Sequence, residues 1–214
     1  MHLSKEEIQS MPKVLRLNLI NSLSGIKPAN LIGTVNKNGD ENLAIFSSVV
    51  HLGSNPALFG FILRPKGDVR RHTHENIIET KEFTLNFVTT AFIQQAHYTS
   101  AKFDASVNEF EKCGLTSSYI PSFLAPFVAE SPIKMGLSFV EEISIKANGT
   151  SIIVGQVEHI VLPDEILNDN GHLDLGSLDI AGISGLNTYY SLQKEDRFPY
   201  SRGHFSLADL KTEF

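Results

Sequence analysis

One cysteine, Cys113, occurs in 214 residues, and tryptophan is absent. A single thiol excludes an internal disulfide and every metal framework built on cysteine pairs, and Cys113 reads as a small packing residue. No apolar run approaches the roughly 18–20 residues that a membrane-spanning helix needs. The N-terminus, Met1-His-Leu-Ser-Lys-Glu-Glu7, has no cationic start followed by an apolar stretch, which points away from a signal peptide and toward a reducing cytoplasm. Positive charge is scarce as well: 18 Lys and Arg stand against 24 Asp and Glu, leaving −6. A general nucleic-acid coat needs the opposite sign. Familiar chemical signatures are missing too. There is no Gly-x-Gly-x-x-Gly after a strand, no phosphate loop ending in Gly-Lys-Ser/Thr and no His-Glu-x-x-His. Gly182-Ile-Ser184-Gly185 falls one residue short of a nucleophile elbow.

What is present suits a globular domain. Hydrophobic residues make up 42% of the chain and charged residues 20%, with 14 Phe for the core. A chain of this length buries about 70% of its unfolded surface. No repeat or linker marks a boundary, so residues 1–214 read as one domain, with an N-terminal arm over 1–25 and a loop-rich tail over 164–214. The arm carries an amphipathic pattern at Ile8, Met11, Leu15 and Leu19. Strands are expected at 31–35, 42–46, 57–63 and 83–88, and helices at 73–80 and 91–101. Asn38-Gly39 and Asn148-Gly149 each separate two apolar runs, the signal of a hairpin whose two turn positions take positive φ. The second hairpin pairs 135–146 with 151–162. Two hairpins plus two further strands predict a mainly antiparallel barrel of six or seven strands with flanking helices.

One segment opposes the overall charge. Over residues 64–74, Arg64, Lys66, Arg70 and Arg71 meet only Asp68, and the segment leads into a helix. Thr73 reads as the N-cap, leaving first-turn N–H groups that suit a phosphate beside arginine. By charge alone, a solvated basic loop accounts for the segment about as well. Ser47 and Ser48 end a strand and offer hydroxyls to the same anion, though strand-edge filler is the plainer reading of both. His72 and His74 lie two apart in a helical segment, where side chains diverge, and read as surface histidines. No metal site is expected.

These segments, with others, resemble the flavin reductase-like, FMN-binding split-barrel family of the flavoredoxin type. Asn42-Leu-Ala44-Ile-Phe46-Ser47 resembles the family's Asn-x-Ala-Pro-aromatic-Ser, and Ser54-Asn-Pro56 its Ser-x-Pro-Pro. Arg71-His-Thr73-His-Glu-Asn76-Ile77 resembles the helix start, and Glu82-Phe83-Thr-Leu-Asn86 the strand after it. Glu109-Phe110, Gly114-Leu115, Ala125-Pro126 and Glu130-Ser131-Pro132 match the middle section. Gly155-Gln-Val157, Gly185-Leu-Asn-Thr-Tyr189-Tyr190 and Tyr200-Ser-Arg202 close the match, which covers about residues 25–203. The chain departs from the pattern at Ile45 and Ala57, where the family has Pro. It departs again at His72, where Asp is common, and at Gly203, where a Pro often follows the Arg.

The resemblance implies a Greek-key split β-barrel and a homodimer holding FMN at the subunit interface, with no membrane or nucleic-acid partner. It places the phosphate on Arg71, Thr73, Ser47 and Ser48, with Arg64 as a further contributor, and the ring against Ala44, Ile45 and Phe46. Asn86 is assigned to the flavin or the dimer partner, with a satisfied buried amide as the equal alternative. His97 and Tyr98 reach either the flavin or the core. The implied activity is NAD(P)H-dependent reduction through bound FMN, with the electrons passing to a small-molecule or protein acceptor. The alternative is an FMN-holding electron carrier with little NAD(P)H activity.

Overall fold

The computed structural model describes residues 1–65, 70–104 and 106–198. The chain opens with two short helices, α1 (Lys5–Ser10) and α2 (Lys13–Leu23), and then becomes mostly strand. β1 (Lys27–Pro28) leads into β2 (Asn30–Val35), β3 (Glu41–Phe46), β4 (Val50–Ser54) and β5 (Ala57–Leu63). Helix α3 (His72–Thr80) precedes β6 (Glu82–Phe87), and α4 (Ile93–Tyr98) and α5 (Glu109–Cys113) follow it. Short β7 (Ser117–Ser118) and β8 (Phe127–Val128) precede the long pair β9 (Lys134–Ile145) and β10 (Thr150–Val161). The tail adds β11 (Ala181–Ser184) and β12 (Thr188–Ser191).

Seven strands form one antiparallel sheet in the order β3-β2-β6-β9-β10-β5-β4. Its two edge strands, β3 and β4, are consecutive in sequence and joined only by residues 47–49. The sheet therefore curls until its edges meet at one corner, which is a split barrel. The expected seventh strand is β4. Ser48 holds the corner: its hydroxyl donates to the Ile62 carbonyl (3.3 Å) and accepts from the Ile62 N–H (3.1 Å).

Alternation sets two apolar layers. Ile32, Phe61, Phe83, Leu85, Leu137 and Ile153 fill the barrel interior. Phe61 touches Phe46 and Phe83 edge-on, with centroids 4.9 and 5.7 Å apart. Leu31, Leu43, Val88, Phe92, Phe110 and Ile183 form an outer layer beneath α4, α5 and β11. All six residues of β2 are buried, because it is covered on both faces. At Gly33 a Cβ would stand 2.2 Å from the Pro126 carbonyl oxygen, so only glycine lets that loop close on the sheet.

Several expectations are corrected. Both Asn-Gly loops are longer than a two-residue turn. Gly39 (φ 90°) and Gly149 (φ 73°) take positive φ, but Asn38 and Asn148 do not. Instead the Asn36 carboxamide accepts from the N–H groups of Asn38 and Asp40. The helix expected over 91–101 is a 3-10 turn at Thr90–Phe92 followed by α4. The tail, read as loop, contains the β11–β12 hairpin, and β11 also pairs with β1. The arm is helical, but no residue of α1 or α2 is buried. Among the described residues no helix is long and apolar enough to cross a membrane.

Candidate cofactor site

The start of α3 is fixed by a buried polar network. Asn42 Nδ2, on β3, donates to the hydroxyls of Thr34 and Thr73, each at 3.1 Å. Asn76 Nδ2 also donates to the Thr34 hydroxyl, at 3.1 Å. Ile77 follows into the barrel interior and is completely buried. Thr73 is therefore not the N-cap. The helix starts one residue earlier, Arg71 occupies the cap position, and no side chain caps it. The first intrahelical bond is Glu75 N–H to the Arg71 carbonyl, so the N–H groups of His72, Thr73 and His74 have no acceptor in the helix.

Arg70 and Arg71 differ sharply. Arg70 is exposed and pairs through Nε and a terminal nitrogen with the Glu75 carboxylate. Arg71 is half-buried, and its Nε is enclosed without a hydrogen-bond partner among the described residues. An unmet buried donor on a cation costs about 1–3 kcal/mol or more, so this group is poised for an acceptor. The acceptor does not come from the neighbouring cleft at the start of β3. That cleft is lined by Asp40, Glu41, Glu75 and Glu109 along with Arg70 and His72, and its acidic balance repels anions.

Strand β3, where the ring is expected, is a sheet edge. Leu43 and Ile45 pack on the outer layer, whereas Phe46 packs into the barrel. Ala44, Ile45 and Phe46 thus share an edge rather than a face, and all three are half-buried. The outward N–H of Leu43 donates to Glu109 Oε2 at 3.2 Å. Alternation turns the Ile45 N–H to the same open side. Burial pushes the Glu109 carboxyl above the usual carboxylate range, against the opposing pull of the Leu43 N–H.

The other site residues are distributed as follows. Ser47 and Ser48 form the corner after β3, and Ile62, which binds Ser48, lies two residues before exposed Arg64. Thr73 is tied to Asn42, at the opposite end of β3 from Ser47, with its hydroxyl already engaged. Lys66 and Asp68 lie outside the described residues, as do Tyr200, Ser201, Arg202 and Gly203. Asn86 takes the second of its two expected roles. It is fully buried, donates to the Leu31 carbonyl (3.1 Å) and the Thr84 hydroxyl (2.8 Å), and accepts from Val128 N–H (2.9 Å). Its amide holds β6 to β2 and β8, so it is the satisfied buried asparagine.

His74 is not a surface residue: it is buried and meets Glu142 on β9 at 2.9 Å. His97 Nδ1 lies 3.0 Å from the Tyr189 hydroxyl of the tail hairpin, while Tyr98 is 55% exposed. Burial pushes the Tyr189 phenol up to about 12. Sequence reasoning missed Asn42, Asn76 and Glu109 as positioning residues, although all three stand in the segments that carried the resemblance. Among the described residues, no three His, Cys, Asp or Glu side chains converge as a metal site would require.

A sheet curled until consecutive edge strands meet, with an unpartnered arginine at the adjoining helix start, defines a split-barrel protein with a candidate anion site. Residues 25–176 match the model of the flavin reductase like domain, and the chain belongs to that family. It is 45% identical to a candidate flavin reductase with a split barrel domain from Shewanella frigidimarina NCIMB 400. That likeness covers 94% of this chain and 100% of the other, with a TM-score of 0.90. Nitrilotriacetate monooxygenase component B from Bacillus cereus shares the fold at 19% identity and TM-score 0.81, covering 92% of this chain and 98% of its own. Flavoredoxin of Desulfovibrio vulgaris does so at 20% identity and TM-score 0.72, covering 84% and 93%.

Proposed function

We propose that the protein is an FMN-dependent oxidoreductase that takes hydride from NAD(P)H and passes the electrons to a small-molecule or protein acceptor. The observation that carries the reading is the enclosed, partnerless Nε of Arg71 beside the open N-terminus of α3. A phosphate monoester supplies the acceptor oxygens both features require. Arg71 and the first-turn N–H groups hold the phosphate, and Ser47, Ser48 and Arg64 border the approach from the corner. Thr73 acts through Asn42, by fixing the helix start. The open edge of β3, with the Ile45 N–H, meets the polar rim of the ring. FMN, when bound, supplies the hydride and electron chemistry, so no side-chain acid–base dyad is needed.

The flavin lies against an open edge, and a second subunit covers it, so the functional unit is a homodimer with one domain per chain. Purified protein is expected to be yellow and to release FMN on acid treatment. Stopped-flow mixing with NADH or NADPH should bleach the flavin within the time of a catalytic turnover. Release of FAD, haem or pyridoxal phosphate in place of FMN overturns the cofactor assignment. Bleaching by dithionite but by neither nicotinamide makes the protein an electron carrier. Light scattering that gives a monomer with full FMN occupancy overturns the dimer.

A further inference from the structure

A second polar pair stands beside the open edge of β3. His97 on α4 and Tyr189 on β12 come together from positions 92 residues apart. Nδ1 of the histidine lies 3.0 Å from the phenol oxygen, and the rings meet edge-on at 88° with centroids 5.7 Å apart. Ile93, one turn before His97 on the same side of α4, packs against the outer layer, as do Tyr189 and Ile45. α4 itself rests on β3. The pair therefore shares a side of the barrel with Ile45, whose N–H is turned to the open edge.

The bond between them has one consistent direction. Tyr189 is half-buried, and with its phenol pushed up to about 12 the hydroxyl keeps its proton. Among the described residues that proton has one acceptor, His97 Nδ1. A half-buried hydroxyl that donated nowhere would forfeit a hydrogen bond, so the phenol donates to Nδ1. In the neutral ring Nδ1 is then the acceptor nitrogen, and the hydrogen sits on Nε2. Nε2 has no partner among the described residues, yet it is not one of the enclosed unpaired atoms, so it opens to solvent. The tail hairpin thus presets a hydrogen-bond donor on the side of the barrel where the flavin ring is expected.

We propose that His97, through its Nε2–H, is a catalytic donor to the oxygen of a flat conjugated carbonyl acceptor, a quinone by class, and that Tyr189 is its positioning residue. This rests on the FMN-dependent reading above and names the acceptor of that same site. A quinone that takes hydride, with its electron pair, from the reduced cofactor at one end of its conjugated system gathers negative charge on the oxygen at the other end. Water then protonates that oxygen, and the cofactor is left oxidised. The Nε2–H lends a hydrogen bond to the charge as it develops and is not itself consumed. Tyr98, 55% exposed and edge-on to His97 at 5.9 Å, adds an aromatic wall that suits a flat ring. A one-electron metal complex develops no such oxyanion and gains nothing from the donor.

The test uses the full FMN-loaded chain, reduced with dithionite and mixed in stopped flow with menadione or with ferricyanide. His97→Leu should slow reoxidation by menadione about a hundredfold, the usual effect of deleting one donor to a developing oxyanion, and leave reoxidation by ferricyanide unchanged. His97→Gln, whose amide nitrogen reaches toward the Nε2 position, should recover most of the menadione rate. Tyr189→Phe should slow menadione about tenfold. Independently of turnover, proton–nitrogen NMR of the ring at a pH where His97 is neutral should place the hydrogen on Nε2 in the parent and lose that preference in Tyr189→Phe. A hydrogen on Nδ1, or a menadione rate unchanged in His97→Leu, overturns the inference. Equal loss with both acceptors shows that His97 serves the fold, and overturns it with the cofactor reading intact. A chain that takes up no FMN overturns both.

Discussion

Replacing Arg71 with alanine should separate binding from stability. In the folded protein its Nε is buried without an acceptor among the described residues, so the side chain brings an unmet donor to the apo state. Such a group costs about 1–3 kcal/mol, and one or two charge-assisted bonds to a phosphate return about 1.5–3 kcal/mol each. At about 1.4 kcal/mol per decade, losing one such contact weakens FMN binding about tenfold, and losing both about a hundredfold. The apo protein should keep or slightly raise its Tm, since a penalty is removed with the side chain. Arg70→Ala is the internal control. Its guanidinium is exposed and pairs with Glu75 in solvent, where screening leaves such a pair weak, and it lines the acidic cleft. FMN affinity should change by less than about threefold there. Titration of apo-protein with FMN, read by quenching of flavin fluorescence, gives both constants, and scanning calorimetry gives the apo Tm. Equal affinity for Arg71→Ala and the parent refutes the phosphate assignment. A fall of more than about 2 kcal/mol in apo stability shows that the arginine serves the fold instead.

Three further outcomes follow from the packing and the ionisation. Gly33→Ala should cost about 3 kcal/mol or more in urea unfolding, because its methyl meets Pro126 backbone oxygen and the Thr84 hydroxyl at 2.2 and 2.6 Å. Glu109 has a folded pKa above its unfolded value, so its contribution is present below about pH 4.3 and is lost as pH rises through the folded pKa. Glu109→Gln should therefore gain stability relative to the parent on going from pH 4 to pH 7, as measured by chemical denaturation at each pH. Tyr189→Phe should lose about 0.5–1.5 kcal/mol in the same measurement by removing the hydroxyl that meets His97.

The barrel was legible where its signals are local. Alternating runs around Asn38-Gly39 and Asn148-Gly149 marked both hairpins, and β5 is found at the expected residues 57–63. The parts that were not legible depend on distant partners. β11 has four residues and, besides its hairpin partner β12, is stabilised by β1 from near the start of the chain, a pairing no window of sequence contains. Thr73 carries the local mark of an N-cap, yet Asn42, thirty-one residues away, engages its hydroxyl. For Asn86 the sequence leaves a ligand role and a satisfied amide equally open, and three backbone and side-chain partners from β2, β6 and β8 decide for the second. In the basic segment, charge could not tell Arg70 from Arg71. Burial does, because one faces Glu75 and the other is enclosed.

The sheet order also dictates when each strand finds its place during synthesis. β2 and β3 pair as soon as both have emerged, through a short loop. β5 cannot settle so early: Leu58 pairs with Gln156 and Leu63 with Ser151, at the far end of the barrel sequence. Until β10 leaves the ribosome, the β4–β5 hairpin has a neighbour on neither side, and Phe59 and Phe61 have no interior to enter. Closing so long a loop is entropically slow, and unpaired strand edges promote association between chains. The corner bond from Ser48 to Ile62 acts within this waiting segment. In the folded protein it ties the end of β3 to β5, so the corner closes through residues that emerge early while the sheet beside β5 closes only with β10.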